Sequence, residues 1–317
     1  MNTTYKRIYT STKSSLPKAK KTIWWLLKII LPISLFVSFL QYWGIITQIA
    51  NLLTPAFSLL GLPGESAVVF ITSIFLPLYA PIAIIATLPM SMREITILAF
   101  MCLISHSMFV ETAVQKKTGS SALIIFFLRL SISLIGAFIL NLILPRHIGS
   151  NHVVQKIIES TSIMDMLRNW IESAGFLVLK ISLIISGLMI LQGVLREFKI
   201  LDVISKIFAP MMRIMGLSND SSFLWFVAQT LGLAYGSAIM IDEVNHGAIS
   251  LKNARLLNYH IAINHSLLED TLLFVAIGVP AEWIVAPRFL VALVVVWIVR
   301  AIMKIREKRQ SKDTIIQ

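Results

Sequence analysis

A chain of 317 residues in which 56% are hydrophobic and only 14% charged lies far from the balance of a soluble globular domain and close to that of a polytopic membrane protein. The formal net charge of +12 does not indicate nucleic acid: seven of the Lys and Arg residues precede residue 29 and six follow residue 299, beside apolar runs and without interleaved aromatics, a positive-inside pattern. The single cysteine, Cys102, excludes an intramolecular disulfide and a thiolate metal cluster.

In chain order, a basic Ser/Thr-rich cytoplasmic leader at 1–22 precedes an apolar run at 23–43, which is too long for a signal-peptide core and lacks a small-residue cleavage site. It reads as a retained signal anchor. Residues 45–60 are amphipathic and predict a helix along the interface. Residues 64–89 are apolar but interrupted by Pro77 and Pro81. A helical leg of about 10 residues rises roughly 15 Å, half the hydrocarbon thickness, so this segment predicts a re-entrant hairpin, with a Pro-kinked full span as the alternative. Spans follow at 94–115 and 121–144, then a linker at 145–170 and a span at 171–193. A second interfacial segment occupies 198–215, and a second interrupted one 219–243, broken by Gly232 and Gly236. Spans at 254–278 and 281–303 lead into a basic cytoplasmic tail at 304–317. The fold class is thus an all-α polytopic membrane protein, with about six transmembrane helices plus two re-entrant or broken helical hairpins and interfacial helices.

The pattern is written twice, in a first repeat at 23–144 and a second at 171–303. Pro55 and Gly61-Leu62 recur as Pro210 and Gly216-Leu217, displaced by 155 positions. His106-Ser107, Glu111-Thr112, Gly119 and Arg129 recur as His265-Ser266, Asp270-Thr271, Gly278 and Arg288, displaced by 159. The basic residues do not recur. Residues 41–62 hold no Lys or Arg where the second copy has Arg196, Lys199, Lys206 and Arg213, and Lys116-Lys117 stand where the second copy has only Glu282. With both termini cytoplasmic, this asymmetry requires each copy to cross an odd number of times, which makes the copies inverted repeats.

His106 and His265 fall near the centres of the helices predicted at 94–115 and 254–278. Each is followed five positions later by an acid, Glu111 or Asp270, with Glu269 adjacent to the second. On a continuous helix, five positions rotate the acid roughly 140° from the histidine, so neither pair shares a narrow face, whereas His265 and Glu269 do. Arg129 and Arg288 lie inside the following helices. Ionisable groups at this depth cost at least about 2.5–3.5 kcal/mol on insertion scales and therefore face the bundle interior. They form a candidate solute or ion pathway, to which Tyr79 and Tyr235 add one phenol from each copy. Alternatively each arginine pairs with the acid of the preceding helix and holds the bundle together. No nucleophile elbow, phosphate loop or paired catalytic carboxylates occur, so neither enzymatic activity, a cofactor nor a bound metal is expected.

The run Leu60-Gly61-Leu62-Pro63-Gly64-Glu65-Ser66, with Pro81-Ile82-Ala83-Ile84, Ser91-Met92-Arg93-Glu94, His106-Ser107 and Glu111-Thr112, resembles the nucleoside-recognition, or Gate, family. That family is similar to the spore maturation proteins A and B and to the gate segments of the ferrous-iron transporter FeoB. The resemblance covers about residues 25–144 and 175–303. Iron-transporter gates carry a cysteine before the Pro-Ala step, where this chain has Leu78-Tyr79-Ala80 before Pro81. The resemblance implies a transporter or permease of the bacterial cytoplasmic (inner) membrane, moving a small polar solute, nucleosides among the candidates. The alternatives are a membrane scaffold that partners other membrane proteins or a homo-oligomer, and a divalent-cation channel.

Overall fold

The structure, a computed structural model, describes residues 3–146, 148, 162–247 and 249–315. Among these residues the chain is all helical, without a strand. Most of the predicted linker, residues 147 and 149–161, lies outside the described residues.

Helix α1 (Thr3–Tyr42) carries the leader and the first apolar run as one element of 40 residues. The leader is therefore not a separate segment in the fold. Helix α8 (Ile163–Glu197) is likewise longer than the span predicted at 171–193. The two pair antiparallel: Arg7 Nε lies 2.8 Å from Glu197 Oε1 near one end, and Trp170 Nε1 donates to Ser34 Oγ at 3.0 Å near the other. At Gly44, whose φ of +72° only glycine adopts without strain, the chain turns through 85° into α2 (Ile45–Ser58), the segment predicted to lie along the interface. Its counterpart is α9 (Ile200–Ile214).

The first interrupted segment is α3 (Ser66–Phe75) and α4 (Tyr79–Ile85), which pack against each other. Leu76 is extended and Pro77 stands in the break, with no amide to donate. Pro81 falls in the first turn of α4, where no intrahelical amide is needed. In α10 (Ser222–Asn245) the break is at Gly232 (φ +76°, ψ 167°), and Gly236 lies within the helical run instead of marking a second break. One glycine with a freely chosen φ suffices to interrupt the ladder.

Gly64 sits where α2 and α3 touch. A methyl group there would meet the Ala50 carbonyl oxygen at 2.1 Å and Thr54 Oγ1 at 2.5 Å. Because one neighbour is backbone, Gly64→Ala is expected to destabilise the fold by about 1–3 kcal/mol, read as a lowered thermal midpoint in detergent. Gly175→Ala, on an exposed face of α8 with nothing within 4 Å, is the matched control and is expected to be neutral or stabilising.

The predicted spans 94–115 and 254–278 are each two helices. The first is α5 (Met92–Ser105) and α6 (Met108–Lys117); the second is α11 (Leu251–Ile263) and α12 (Leu267–Val275). Their N-termini are capped alike, by Ser91 in a capping box with Glu94 and by Ser250 accepting from the Asn253 amide. The closing helices α7 (Ala122–Ile143) and α13 (Ala281–Ile315) match the predicted last span of each copy, α13 also carrying the basic tail. By length and apolarity four helical stretches among the described residues can cross a membrane: Met92–Lys117, Ala122–Ile143, Ile163–Leu195 and Ala281–Lys308. The bent α1–α2 pair makes a fifth. The sixth predicted span, α11 with α12, is divided into pieces of 13 and 9 residues.

The duplication extends to the backbone. Left-handed residues recur as Gly61 and Gly216 (φ +70° and +74°), Ser107 and Ser266 (+46° and +47°), and Gly119 and Gly278 (+91° and +101°). The two halves also interlock reciprocally, α5 against α13 and α11 against α7. At the end of α6 the Gly119 carbonyl accepts from Arg255 Nε at 2.6 Å, while Asn258 Nδ2 donates to Thr118 Oγ1 at 2.8 Å and Ser120 Oγ at 2.9 Å. At the other end, a Cβ on Gly278 would lie 2.8 Å from Met92 Cε. The end of α6 thus adjoins the start of α11, and the end of α12 adjoins the start of α5. The two histidine-bearing helices therefore run antiparallel past each other.

Helix α7 is reversed relative to a surface helix of a soluble protein. On α7, Arg129, Ser133, Gly136 and Ala137 are buried while Leu123, Phe127, Phe138 and Leu142 are exposed. A helix that turns its guanidinium inward and its largest apolar groups outward is built for a hydrocarbon solvent, with small residues where helices approach.

Candidate functional site

Both central helices break at the same dipeptide. His106 and its neighbour Ser107 leave the helical region, His106 extended (φ −63°, ψ 153°) and Ser107 left-handed (φ +46°, ψ +30°). Ser266 repeats the left-handed conformation at φ +47°, ψ +38°. Such a conformation in a non-glycine residue costs about 1–2 kcal/mol and must be held by its surroundings. Here the Ser107 amide donates to the Ser73 carbonyl at 2.9 Å and the Leu76 carbonyl at 3.2 Å, at the break of the first hairpin. The Ser266 amide donates to the Ala228 carbonyl at 2.9 Å, in α10 near its own break. Each hairpin therefore supports the interruption of the central helix in its own half.

The carbonyls freed at these breaks are taken by the two arginines. Arg129 donates through Nε to the Ile104 carbonyl at 2.6 Å and through NH2 to the His106 carbonyl at 2.8 Å. Arg288 repeats this with Ile263 at 3.4 Å and His265 at 2.7 Å. Both guanidinium groups are fully buried. They act as side-chain caps on the C-termini of α5 and α11, which a lipid environment would otherwise leave unsatisfied. Arg129 also pairs with Glu111 Oε2 at 2.8 Å, so the structural alternative weighed from sequence, arginine with the acid of the preceding helix, is realised in the first half.

The break re-aims the acids. On a continuous helix Glu111 would face away from His106, yet the left-handed serine brings its Oε1 to 3.3 Å from His106 Nε2 and 3.2 Å from His265 Nε2. His106 and His265 face each other across the halves with Nε2 atoms 3.3 Å apart and ring centroids 5.0 Å apart. Asp270 Oδ2 lies 3.6 Å from His106 Nε2. All four side chains are buried. His106, Glu111, Arg129, His265, Asp270 and Arg288 thus converge on one centre.

Glu269, which a continuous helix would have placed beside His265, turns elsewhere and accepts from the Tyr79 hydroxyl at 2.6 Å, another contact between the halves. Pro77 and Pro81 border Tyr79 at the first hairpin break, and Gly232 approaches the centre closely enough that a Cβ would lie 3.0 Å from Ser266 Oγ. The Tyr235 side chain lies outside the described residues.

Sequence reasoning missed a second layer of buried amides. Gln229 Nε2 donates to the Asn264 carbonyl at 2.6 Å, one residue before His265, and Gln115 Nε2 donates to the Asn258 carbonyl at 3.1 Å across the halves. Their signal was available: each is an uncharged polar residue inside an otherwise apolar stretch, which in a bilayer marks either a helix contact or a pathway.

The nucleoside-recognition (Gate) family matches residues 23–140, the first half of the pair, from the apolar part of α1 through most of α7. The chain is similar over nearly its whole length to the "Uncharacterized membrane protein YvoD" of Bacillus subtilis (strain 168), 32% identical over 265 residues that cover 82% of this chain and 84% of that one. No solved structure matches. With a buried histidine–carboxylate centre at the breaks of two apolar helices, and a relative of this extent that is itself called a membrane protein, the chain belongs to the nucleoside-recognition (Gate) family of membrane proteins.

Proposed function

We propose that this protein is a Gate-family transporter that moves a small polar solute through the centre formed by His106, His265, Glu111 and Asp270. One observation carries the reading: two antiparallel helices, each broken at depth, bring equivalent histidines to 3.3 Å of each other with carboxylates alongside. Discontinuous helices with ionisable groups at the meeting of inverted halves are where secondary transporters place solute and coupling-ion sites. The basic leader and tail support a reading in which both termini face the cytoplasm at a bacterial inner membrane. The family description names nucleoside recognition, which makes nucleosides the first solutes to assay.

The test is uptake into proteoliposomes across a panel of nucleosides, bases and cations, with wild type beside His106→Asn and His265→Asn. Uptake of at least one solute is expected, reduced at least about tenfold in either variant, the order that loss of one hydrogen bond to a charged group implies. An inert wild type that remains folded would point instead to a scaffold. Full uptake by both variants would remove the centre from the pathway.

A further inference from the structure

The two histidines are held in one tautomer. His106 Nδ1 lies 3.2 Å from the Cys102 carbonyl and His265 Nδ1 lies 2.7 Å from the Ile261 carbonyl. A carbonyl oxygen only accepts, so both Nδ1 atoms must carry their protons and donate. The neutral rings then present bare Nε2 lone pairs, and these are the atoms that meet at 3.3 Å. Glu111 Oε1, within 3.3 Å of both, and Asp270 Oδ2, 3.6 Å from His106, are acceptors as well. With both rings neutral and both acids ionised, four acceptors from both halves converge with no donor among them, and Asp270 Oδ2 is buried without a hydrogen-bond partner. Like-ended lone pairs repel, so the arrangement calls for a cation between them.

We infer that His106 Nε2, His265 Nε2 and Asp270 Oδ2, with Glu111 Oε1 beside both imidazoles, form a site for a four-coordinate first-row divalent transition cation of the zinc class. This deepens the transport reading by naming the ion that the same centre takes as cargo or coupling ion, and it rests on that reading for the ion's movement but not for its binding. The spacing is the first reason. A tetrahedral ion bound at about 2.0–2.1 Å has ligand atoms about 3.3–3.4 Å apart along each edge. The edges His106–His265, His106–Glu111 and His265–Glu111 are 3.3, 3.3 and 3.2 Å, and His106–Asp270 is 3.6 Å. Ligand atoms of His106, His265 and Asp270 all lie within 4.8 Å of one another. Chemistry is the second: two imidazoles with two carboxylates suit zinc, cobalt, nickel or iron and do not suit magnesium or calcium, which take all-oxygen shells. The third is the support around the ligands. Each Nδ1–H is anchored to a backbone carbonyl and Glu111 Oε2 is held by Arg129 at 2.8 Å, the outer contacts that orient metal-binding imidazoles and carboxylates.

The test uses purified full-length protein in detergent, stripped with chelator and titrated with Co²⁺, whose intense visible bands report four-coordination. One equivalent with a four-coordinate spectrum is expected, displaced by Zn²⁺. His106→Asn and His265→Asn remove the ligand nitrogen while their amides can still donate to Cys102 and Ile261, and each is expected to weaken binding at least about 100-fold, beyond the usual effect of an outer-shell change. Glu282→Gln, exposed in the first turn of α13 and outside the ligand set, is expected to leave the spectrum unchanged. Absence of bound Co²⁺ from folded wild type, or a weak six-coordinate spectrum indifferent to both histidine variants, overturns the site. The two readings separate cleanly. Uptake of an organic solute by a protein that binds no Co²⁺ keeps transport and sinks the cation site, whereas a metal-loaded protein that transports nothing keeps the site and sinks transport.

Discussion

Replacing Arg129 by methionine is expected to destabilise the protein by about 3–5 kcal/mol, the range found when one partner of a buried ion pair is removed. Methionine fills much of the same volume, so the loss is chiefly electrostatic. The carbonyls of Ile104 and His106 lose their donors, and Glu111 keeps its place between two histidines without its guanidinium. In water such carbonyls would be rehydrated; in a membrane core they remain unsatisfied. Arg288→Met is expected to do less, because the contacts of Arg288 are the carbonyls of Ile263 and His265 and the first of these is long, at 3.4 Å. Thermal unfolding in detergent, followed by tryptophan fluorescence, ranks the two. Equal and small shifts in both variants would mean that the breaks do not depend on their caps. Arg129→Lys should recover only part of the loss, since an ammonium is a single point and cannot span two carbonyls and a carboxylate in one plane.

Ser107→Pro and Ser266→Pro are expected to prevent stable folding, with a loss of at least about 3 kcal/mol each. Proline fixes φ near −65°, whereas these positions require +46° and +47°. It also deletes the amide that joins the break to the hairpin, leaving the Ser73 and Leu76 carbonyls, or that of Ala228, without their donor. Ser107→Gly and Ser266→Gly keep the amide and relieve the left-handed strain. Relief of about 1–2 kcal/mol set against the extra chain entropy of glycine should leave these variants within about 1 kcal/mol of wild type. Serine at these positions is thus held by backbone geometry. Glycine variants as damaged as the proline ones would show instead that the hydroxyls do something the backbone does not.

Much of the architecture was legible because the bilayer simplifies the reading. Apolar runs separated by charged loops located α7 and the cores of α8 and α13, and the 159-residue displacement between His106-Ser107 and His265-Ser266 announced equivalent positions before any contact was known. The interruptions at Pro77 and Gly232 were legible for a local reason, since each alters the backbone at its own residue. The breaks at Ser107 and Ser266 were not. Serine carries no strong local instruction to leave a helix, and what holds φ positive there is an amide partner on another helix, which periodicity along one segment cannot register. That omission propagated: with the helices taken as continuous, Glu111 pointed away from His106 and Glu269 toward His265, the reverse of the folded arrangement.

By itself, then, the order of residues determined a helical membrane protein made of two related halves with buried histidines, acids and arginines, because hydrophobicity, charge placement and duplication are properties of the chain read along its length. Only the tertiary structure decided that the two imidazoles meet, that Glu111 lies between them and Arg129, and that the arginines cap broken helix ends. Those relations join residues up to 159 positions apart and depend on where an antiparallel partner presents its carbonyls, which no single segment encodes.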